Sequence, residues 1–328
     1  MILAGDIGGT HARLGLFDVE SKRLSQVVES TFPSASHKTF EEIVAEFVAQ
    51  HKLPVTRACF GIAGPIRKGR AEPVNLPWVV DQRELATVLH LETVYLINDL
   101  EANAYGVNGL EPHDFLVLNQ GAPEALGNTA VIAAGTGLGE AGLYWDGSYH
   151  RPFATEGGHA DFAPHNELEI DLLRYLQAAH GHVSWERVVS GPGLSSIYKF
   201  LRDTGHGEEP AWLAEAIRAH DASAVISQMA IEGRSPLCEQ ALDIFVSLYG
   251  AEAGNIALKF LAIGGVYIGG GIAPRIIEKL KGPAFMESFT SKGRLKPLLE
   301  VMPVRVILND RAALLGAARC AALRAALL

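Results

Sequence analysis

Cysteine is scarce in this chain. Cys59, Cys238 and Cys320 are three residues in 328. An odd count without C-x-x-C spacing argues against a disulfide framework and against a cysteine-based zinc site. Such usage fits a reducing compartment, so a cytoplasmic location is expected. Basic charge is also short, with a formal net charge of −9 and no stripe of Lys and Arg. Nucleic-acid backbones require clustered cations, so no nucleic-acid partner is expected. Uninterrupted apolar runs are missing too. The segment 237–262 is apolar but broken by Glu239, Asp243, Glu252 and Lys259, which makes it a buried helix and leaves no membrane partner to expect. No basic stretch leads into an apolar core at the N-terminus, so no signal peptide is read. Two common phosphate fingerprints are absent. There is no G-x-x-x-x-G-K-[ST], and the first glycine cluster runs into a strand, whereas a dinucleotide fingerprint opens a helix.

What is present is a 328-residue chain, 48% hydrophobic and 20% charged, enough for two domains with ample core. Its organising stretch is Gly5-Asp6-Ile7-Gly8-Gly9-Thr10. An apolar run precedes it, and the alternating run from Ala12 to Phe17 follows, so the glycines sit in a turn between antiparallel strands. Glycine there permits positive φ and lets backbone N–H groups converge on an anion. The Asp6 carboxylate would repel a bare phosphate and makes sense with Mg²⁺ between them. An ordinary Gly-rich hairpin would carry the same residues. The device recurs, however: Thr129 to Ala134 reads as a strand, Gly135-Thr136-Gly137-Leu138-Gly139 as a turn, and Glu140 to Trp145 as a second strand. Two copies point to two related halves facing one ligand.

Other stretches add chemistry. The run Val94 to Ile97 reads as a short strand of the buried type, ending in Asn98-Asp99. Ligands sit beyond strand ends in open α/β sheets, although Asp99 could equally serve as the N-cap of the next helix. In Glu156-Gly157-Gly158-His159 two glycines would let an acid and a histidine reach one small polar ligand. Ser184 could cap a short helix carrying Glu186. A third glycine turn, Gly269-Gly270-Gly271, follows the strand 266–268 and precedes a helix marked by Pro274. Elsewhere, helices are expected over 39–51, 84–89, 100–105, 171–180, 194–201 and 212–229, with Gly250-x-x-x-Gly254 inviting a close backbone in the long helix 237–261. The order of strands and helices predicts an α/β protein with mixed sheets.

Taken in order, these motifs resemble the bacterial glucokinases of the non-ROK type, over nearly the whole chain. The resemblance implies a two-domain actin-like ATPase (ribonuclease H-like) α/β fold with a cleft between the domains. It implies a small domain of residues 1–109 plus about 300–328, to which the C-terminal helix returns, and a large domain of 110–299. Position by position, Gly5, Asp6, Ile7, Gly8, Gly9 and Thr10 match a first phosphate motif, with Asp6 reaching Mg²⁺ through water. Gly135, Thr136 and Gly137 match a second, and Gly269, Gly270 and Gly271 an adenosine motif. Asn98, Asp99, Glu156, His159 and Glu186 match sugar-hydroxyl ligands, with Asp99 as catalytic base. Asn75 and Trp78 match a loop near the sugar. ATP and Mg²⁺ are the implied cofactors, glucose the implied substrate and a homodimer the implied assembly. His11 and Arg311 depart from the usual pattern. The zinc-binding cysteines of ROK kinases are missing.

The implied reaction is ATP-dependent phosphorylation of glucose at its 6-hydroxyl. Positioning and charge neutralisation dominate such a transfer, and Asp99 would take the hydroxyl proton. Another hexose, polyphosphate as donor, or a non-catalytic sugar sensor remain alternatives. The last is opposed by the acidic charge and by a first strand that begins at Ile2.

Overall fold

The computed structural model describes residues 1–73 and 76–327. The chain opens with an antiparallel meander of β1 (Ile2–Ile7), β2 (His11–Glu20) and β3 (Arg23–Pro33). The third strand is longer than Leu24 to Glu29 because β2 keeps pairing with it from Glu20 opposite Arg23 to His11 opposite Pro33. Then comes α1 (Phe40–His51), capped by the Thr39 hydroxyl, which accepts from the Glu42 N–H. Its stripe of Phe40, Ile43, Val44 and Phe47 is buried, as helical periodicity requires. Next are β4 (Arg57–Ile62), three two-residue strands β5 (Ile66–Arg67), β6 (Arg70–Ala71) and β7 (Val80–Asp81), α2 (Gln82–Leu89), β8 (Tyr95–Asn98) and α3 (Asp99–Val107).

The middle of the chain supplies β9 (Phe115–Asn119), β10 (Thr129–Ala134), β11 (Leu138–Trp145) and β12 (His150–Thr155). A helical stretch follows: α4 (Glu167–His180), α5 (Gly191–Asp203), α6 (Ala211–Ala219), α7 (Ala222–Ile231) and α8 (Pro236–Phe260). The chain closes with β13 (Gly265–Gly269), α9 (Ile277–Leu280), α10 (Pro283–Thr290), α11 (Lys296–Glu300), β14 (Val304–Ile307) and α12 (Ala312–Arg324). Among the described residues no helix is long and apolar enough to cross a membrane.

The chain divides into two compact units, one of Met1–Asp114, His150–Ala154 and Asn309–Leu328, the other of Phe115–Tyr149 and Thr155–Leu308. In the first unit five strands run in the order β3-β2-β1-β4-β8. β1 is antiparallel to β2 and parallel to β4, and β4 is parallel to β8. In the second unit β11, β10, β13 and β14 repeat that plan. β10 is antiparallel to β11 and parallel to β13, and β13 is parallel to β14. The two glycine turns therefore occupy the same topological place, one in each unit. The repeat extends past the sheets: β8 runs into Asn98-Asp99 and β14 is followed by Asn309-Asp310. The Asn98 amide oxygen accepts from the Leu100 N–H and that of Asn309 from the Arg311 N–H.

Several expectations need correction. β8 is not a strand buried on both faces. It lies at the end of its sheet, and of its four residues only Ile97 is buried. The helix after it is capped by Asn98, so Asp99 is its first helical residue and not its N-cap. The stretch 212–229 is two helices, divided at His220 and Asp221, where Asp221 caps α7. α5 begins earlier than Leu194, because the Ser190 hydroxyl accepts from the Gly193 N–H and Pro192 sits in the first turn. Ser184 makes no side-chain cap over the 3₁₀ turn Trp185–Arg187. The helix expected after Gly271 is only a 3₁₀ turn, Ala273–Ile276, and the four residues of α9.

The second unit packs around α8, fifteen of whose residues are buried. A Cβ on Gly250 or Gly254 would overlap the carbonyl oxygens of Phe285 and Phe289 on α10. Those two glycines thus admit a neighbouring backbone, as their spacing suggests.

Candidate active site

The first unit presents a hairpin tip and a strand end. Gly5, Asp6 and Ile7 belong to β1, so the turn proper is Gly8-Gly9-Thr10. Gly5 has a packing cause: a Cβ there would stand 2.6 Å from Phe60 Cδ1 and 2.8 Å from Leu14 Cδ2. Gly8 does not take a positive φ, contrary to the expectation for this turn. Its N–H is spent on the His11 carbonyl at 3.0 Å, which leaves the exposed Gly9 and Thr10 at the tip. Ser34 braces the turn from behind. Its hydroxyl donates to the Gly8 carbonyl at 3.1 Å and its N–H to the Thr10 carbonyl at 2.9 Å.

Asp6 stands opposite Arg13 in the β1–β2 register. Arg13 donates through Nη1 to the Asp310 carbonyl at 2.9 Å and through Nη2 to Asp310 Oδ2 at 3.0 Å. Burial pushes the Asp6 carboxyl up to about 6; the Arg13 charge pulls it back and the Asp310 charge adds to the rise. A carboxylate so disfavoured is suited to a cation. Mg²⁺ binds through one or two carboxylates, water and substrate phosphates, and the donors here fit that pattern. Among the described residues no group of three or more His, Cys, Asp or Glu side chains could hold a metal without such help. Of the two departures, His11 is exposed beside the turn, and Arg311 donates from Nε to Glu29 Oε2 at 2.8 Å.

Asn98 and Asp99 leave the end of β8 together. Asn98 caps α3 and donates from Nδ2 to the Gly64 carbonyl at 3.2 Å. That ties the strand end to the loop after β4. Asp99 is half-buried, and its Oδ1 accepts from the Leu100 N–H at 2.9 Å. Asn103 Nδ2 bonds the Asp99 carbonyl at 3.0 Å. The helix behind Asp99 is locked to α12, because a Cβ on Gly106 would overlap the Ala312 carbonyl and one on Gly316 the Ala102 carbonyl. Trp78 is 3% exposed, lies tilted against Phe40 with ring centroids 6.2 Å apart, and donates from its indole to the His37 carbonyl at 3.2 Å. It is a core residue. Asn75 lies outside the described residues.

In the second unit three of the expected regions converge. The Gly135 N–H donates to the Gly137 carbonyl at 2.9 Å, closing the turn, and Thr136 is exposed at its tip. Glu186 Oε2 accepts from the Leu138 N–H at 3.0 Å, and a Cβ on Gly137 would overlap that same oxygen. The turn Gly157–His159 comes to the same place, since a Cβ on Gly158 would overlap the Leu138 carbonyl. Its two glycines therefore let the turn seat on β11, a different reason from side-chain reach. Glu156 and His159 are exposed. The segments carrying them and Glu186 are joined by Phe162 N–H to Val183 O and Trp185 N–H to Ala160 O, both 3.0 Å.

One residue that sequence reading missed ties the second and third glycine turns together. The buried Tyr249 hydroxyl on α8 accepts from the Ala134 N–H at 3.1 Å. It faces the carbonyls of Gly269 at 3.2 Å and Ile132 at 3.3 Å. One hydroxyl thus joins the ends of β10 and β13 where their glycine turns begin. Gly270 takes φ +82, the one position in the three motifs where glycine supplies a left-handed backbone. A lone tyrosine in an apolar helix carries no sequence signal of such a role.

The family model described as Glucokinase matches residues 3–324. The chain belongs to the glucokinase family. The glucokinase of Nostoc punctiforme is 43% identical, with 98% of this chain and 99% of that one covered. The crystal structure of glucokinase from an Antarctic psychrotroph superposes with a TM-score of 0.86 at 32% identity, covering 98% of each chain. A ROK-family glucokinase from Streptomyces griseus, solved with glucose and AMPPNP, has a TM-score of 0.63 at 22% identity over 98% of this chain and 99% of that one, a likeness of fold. The architecture is the two-domain actin-like ATPase fold of these glucokinases and ROK sugar kinases.

Proposed function

We propose that this chain transfers the γ-phosphoryl group of ATP to the 6-hydroxyl of glucose. Membership of the glucokinase family supports the reaction. The observation that carries the assignment of roles is the pair Asn98-Asp99: Asn98 is tied into the fold on both sides, and Asp99 remains half-buried at a strand end. Asp99 accepts a hydrogen bond from the attacking hydroxyl and takes its proton as the new P–O bond forms. The N–H groups of Gly9, Thr10 and Thr136 and the hydroxyls of Thr10 and Thr136 bind phosphate oxygens, where donors count most as charge moves to the leaving group, while Gly135 closes the second turn. Gly269 to Gly271 border the adenosine.

Asp6 would hold Mg²⁺ through water, and the ion would supply the countercharge of the phosphates. On the sugar side Asn98, Glu156, His159 and Glu186 pair with hydroxyls, which satisfies polar groups that would otherwise be left without partners. The same reading includes a homodimer and a cytoplasmic location, following the resemblance.

The test is a coupled assay of ADP formation with and without glucose. Glucose-dependent turnover is expected, and glucose-independent ATP hydrolysis as the sole activity would reject the proposal. Asp99→Asn should lower kcat by about 10²–10⁴-fold while glucose still binds by calorimetry. Near-normal turnover in that variant would remove Asp99 from its role.

A further inference from the structure

Two acids are buried side by side beneath the Gly157–His159 turn. Glu140 on β11 is 2% exposed and Glu252 on α8 is 0% exposed. Charged side chains are rarely buried without partners, and these two have unequal ones. Glu252 accepts from Asn255 Nδ2 at 2.7 Å and from Lys259 Nζ at 3.4 Å. Lys292 Nζ stands behind them, donating to Asn255 Oδ1 at 2.8 Å and to the Ala251 carbonyl at 2.9 Å. Glu140 Oε1 has no hydrogen-bond partner among the described residues. Beside it stands the Glu252 carboxyl, whose charge acts on it through the interior. Two neighbouring carboxyl groups buried away from water do not both ionise, so one keeps its proton. The cations and amide around Glu252 favour its anionic form, so the proton resides on Glu140.

The other Glu140 oxygen points at the sugar-side turn. A Cβ on Gly157 would overlap Oε2, so this carboxyl fills the space a side chain at 157 would need. The main chain follows the same route: Thr155 Oγ1 donates to the Glu140 carbonyl at 3.0 Å and accepts from the Gly157 N–H at 3.2 Å. Glu156 lies between those two anchors.

We propose that Glu140, backed by Glu252, is a positioning residue for glucose: its neutral carboxyl is the seat on which the turn carrying Glu156 and His159 rests. The inference depends on those two residues being sugar ligands. When Glu140 releases its proton to solvent, two carboxylates face each other in the interior. The charged groups around them are Lys259 and Lys292, and both lie on the Glu252 side. Water is then drawn in against Gly157, the turn lifts, and glucose affinity falls while the nucleotide turns stay in place. Burial, with the Glu252 charge, pushes the Glu140 carboxyl up to about 8, against the pull of Lys259. The switch therefore lies just above neutrality.

The experiment follows KM for glucose and KM for ATP from pH 6.5 to 9.5 in the wild type, Glu140→Gln, Glu252→Gln and Glu156→Gln. In the wild type KM for glucose should rise about tenfold between pH 7 and pH 9, the dependence of a single proton, with KM for ATP level. In Glu140→Gln the amide is neutral throughout and the rise should vanish. Glu252→Gln should also remove it, which keeps the test open if the first variant does not fold. A flat wild-type profile, or the same rise in both glutamine variants, overturns the inference. Lost glucose affinity in Glu156→Gln alongside a flat wild-type profile rejects the seat and keeps the sugar site. Unchanged glucose affinity in Glu156→Gln rejects the sugar site and the seat together.

Discussion

The Leu138 N–H donates to Glu186 Oε2 at 3.0 Å, which fastens a proposed sugar ligand to the strand that leaves a proposed phosphate turn. The bond crosses 48 positions of sequence, and on the proposed roles one carboxylate serves both substrates.

Glu186→Gln keeps one acceptor oxygen and can preserve the bond to Leu138. It should raise KM for glucose by about tenfold, the value of one charge-assisted hydrogen bond, with KM for ATP unchanged. Glu186→Ala leaves the Leu138 N–H without its partner and should raise both. Initial-rate kinetics in both substrates distinguish these outcomes. A change in KM for ATP alone would show that Glu186 serves the nucleotide side.

Tyr249→Phe removes one oxygen from a fully buried site. The Ala134 N–H loses its acceptor, at a cost of about 1–3 kcal/mol. In a chain of this length that lowers Tm by roughly 2–4 °C for each kcal/mol. KM for ATP should rise several-fold and KM for glucose should not, because the hydroxyl joins the strand ends that carry the proposed phosphate and adenosine turns. Equal changes in both would reduce Tyr249 to a packing residue.

Gly316→Ala places a methyl group against the Ala102 carbonyl. α3 and α12 must separate, which costs about 1–3 kcal/mol or more. Since α3 carries Asp99, kcat should fall in step with the denaturation midpoint. Full activity with unchanged stability would show that the helices tolerate the shift.

The pH dependence of stability is set in part by Asp6. Its carboxyl is raised from 3.8 to about 6 in the folded chain, so the folded state prefers the protonated form. The stabilisation is complete below about pH 4 and is lost as pH rises through 6. Above that the charged Asp6 costs ~3 kcal/mol. Asp6→Asn should therefore raise Tm at pH 7.5 and leave it nearly unchanged at pH 4, while weakening Mg-ATP binding. Equal Tm shifts at both values would contradict this sign.

Much of the local structure was legible because it depends on local rules. Alternation marked β2 and β11, and a short apolar run marked β1; the stripe Phe40, Ile43, Val44 and Phe47 marked α1; and Gly250 with Gly254 marked a close helix contact. Where local rules failed, a neighbour had decided the matter. The run Val94 to Ile97 is apolar enough for a central strand, yet its place at the sheet edge is set by which strand it pairs with. Gly5 reads as a phosphate-motif glycine and Gly158 as a spacer that frees its neighbours to reach a ligand, yet each has a packing reason, a core side chain for one and a crossing carbonyl for the other.

By itself the amino-acid order determined the repeated strand–turn–strand device, the mixed α/β class and the family, because periodicity and motif order are properties of the string. Tertiary structure alone decided that Glu186 meets Leu138, that Tyr249 joins two strand ends, and that Glu140 lies under Gly157 against Glu252. Those meetings link residues from 17 to 117 positions apart. No local pattern encodes them, since a buried polar group finds its partner only after the chain has closed around it.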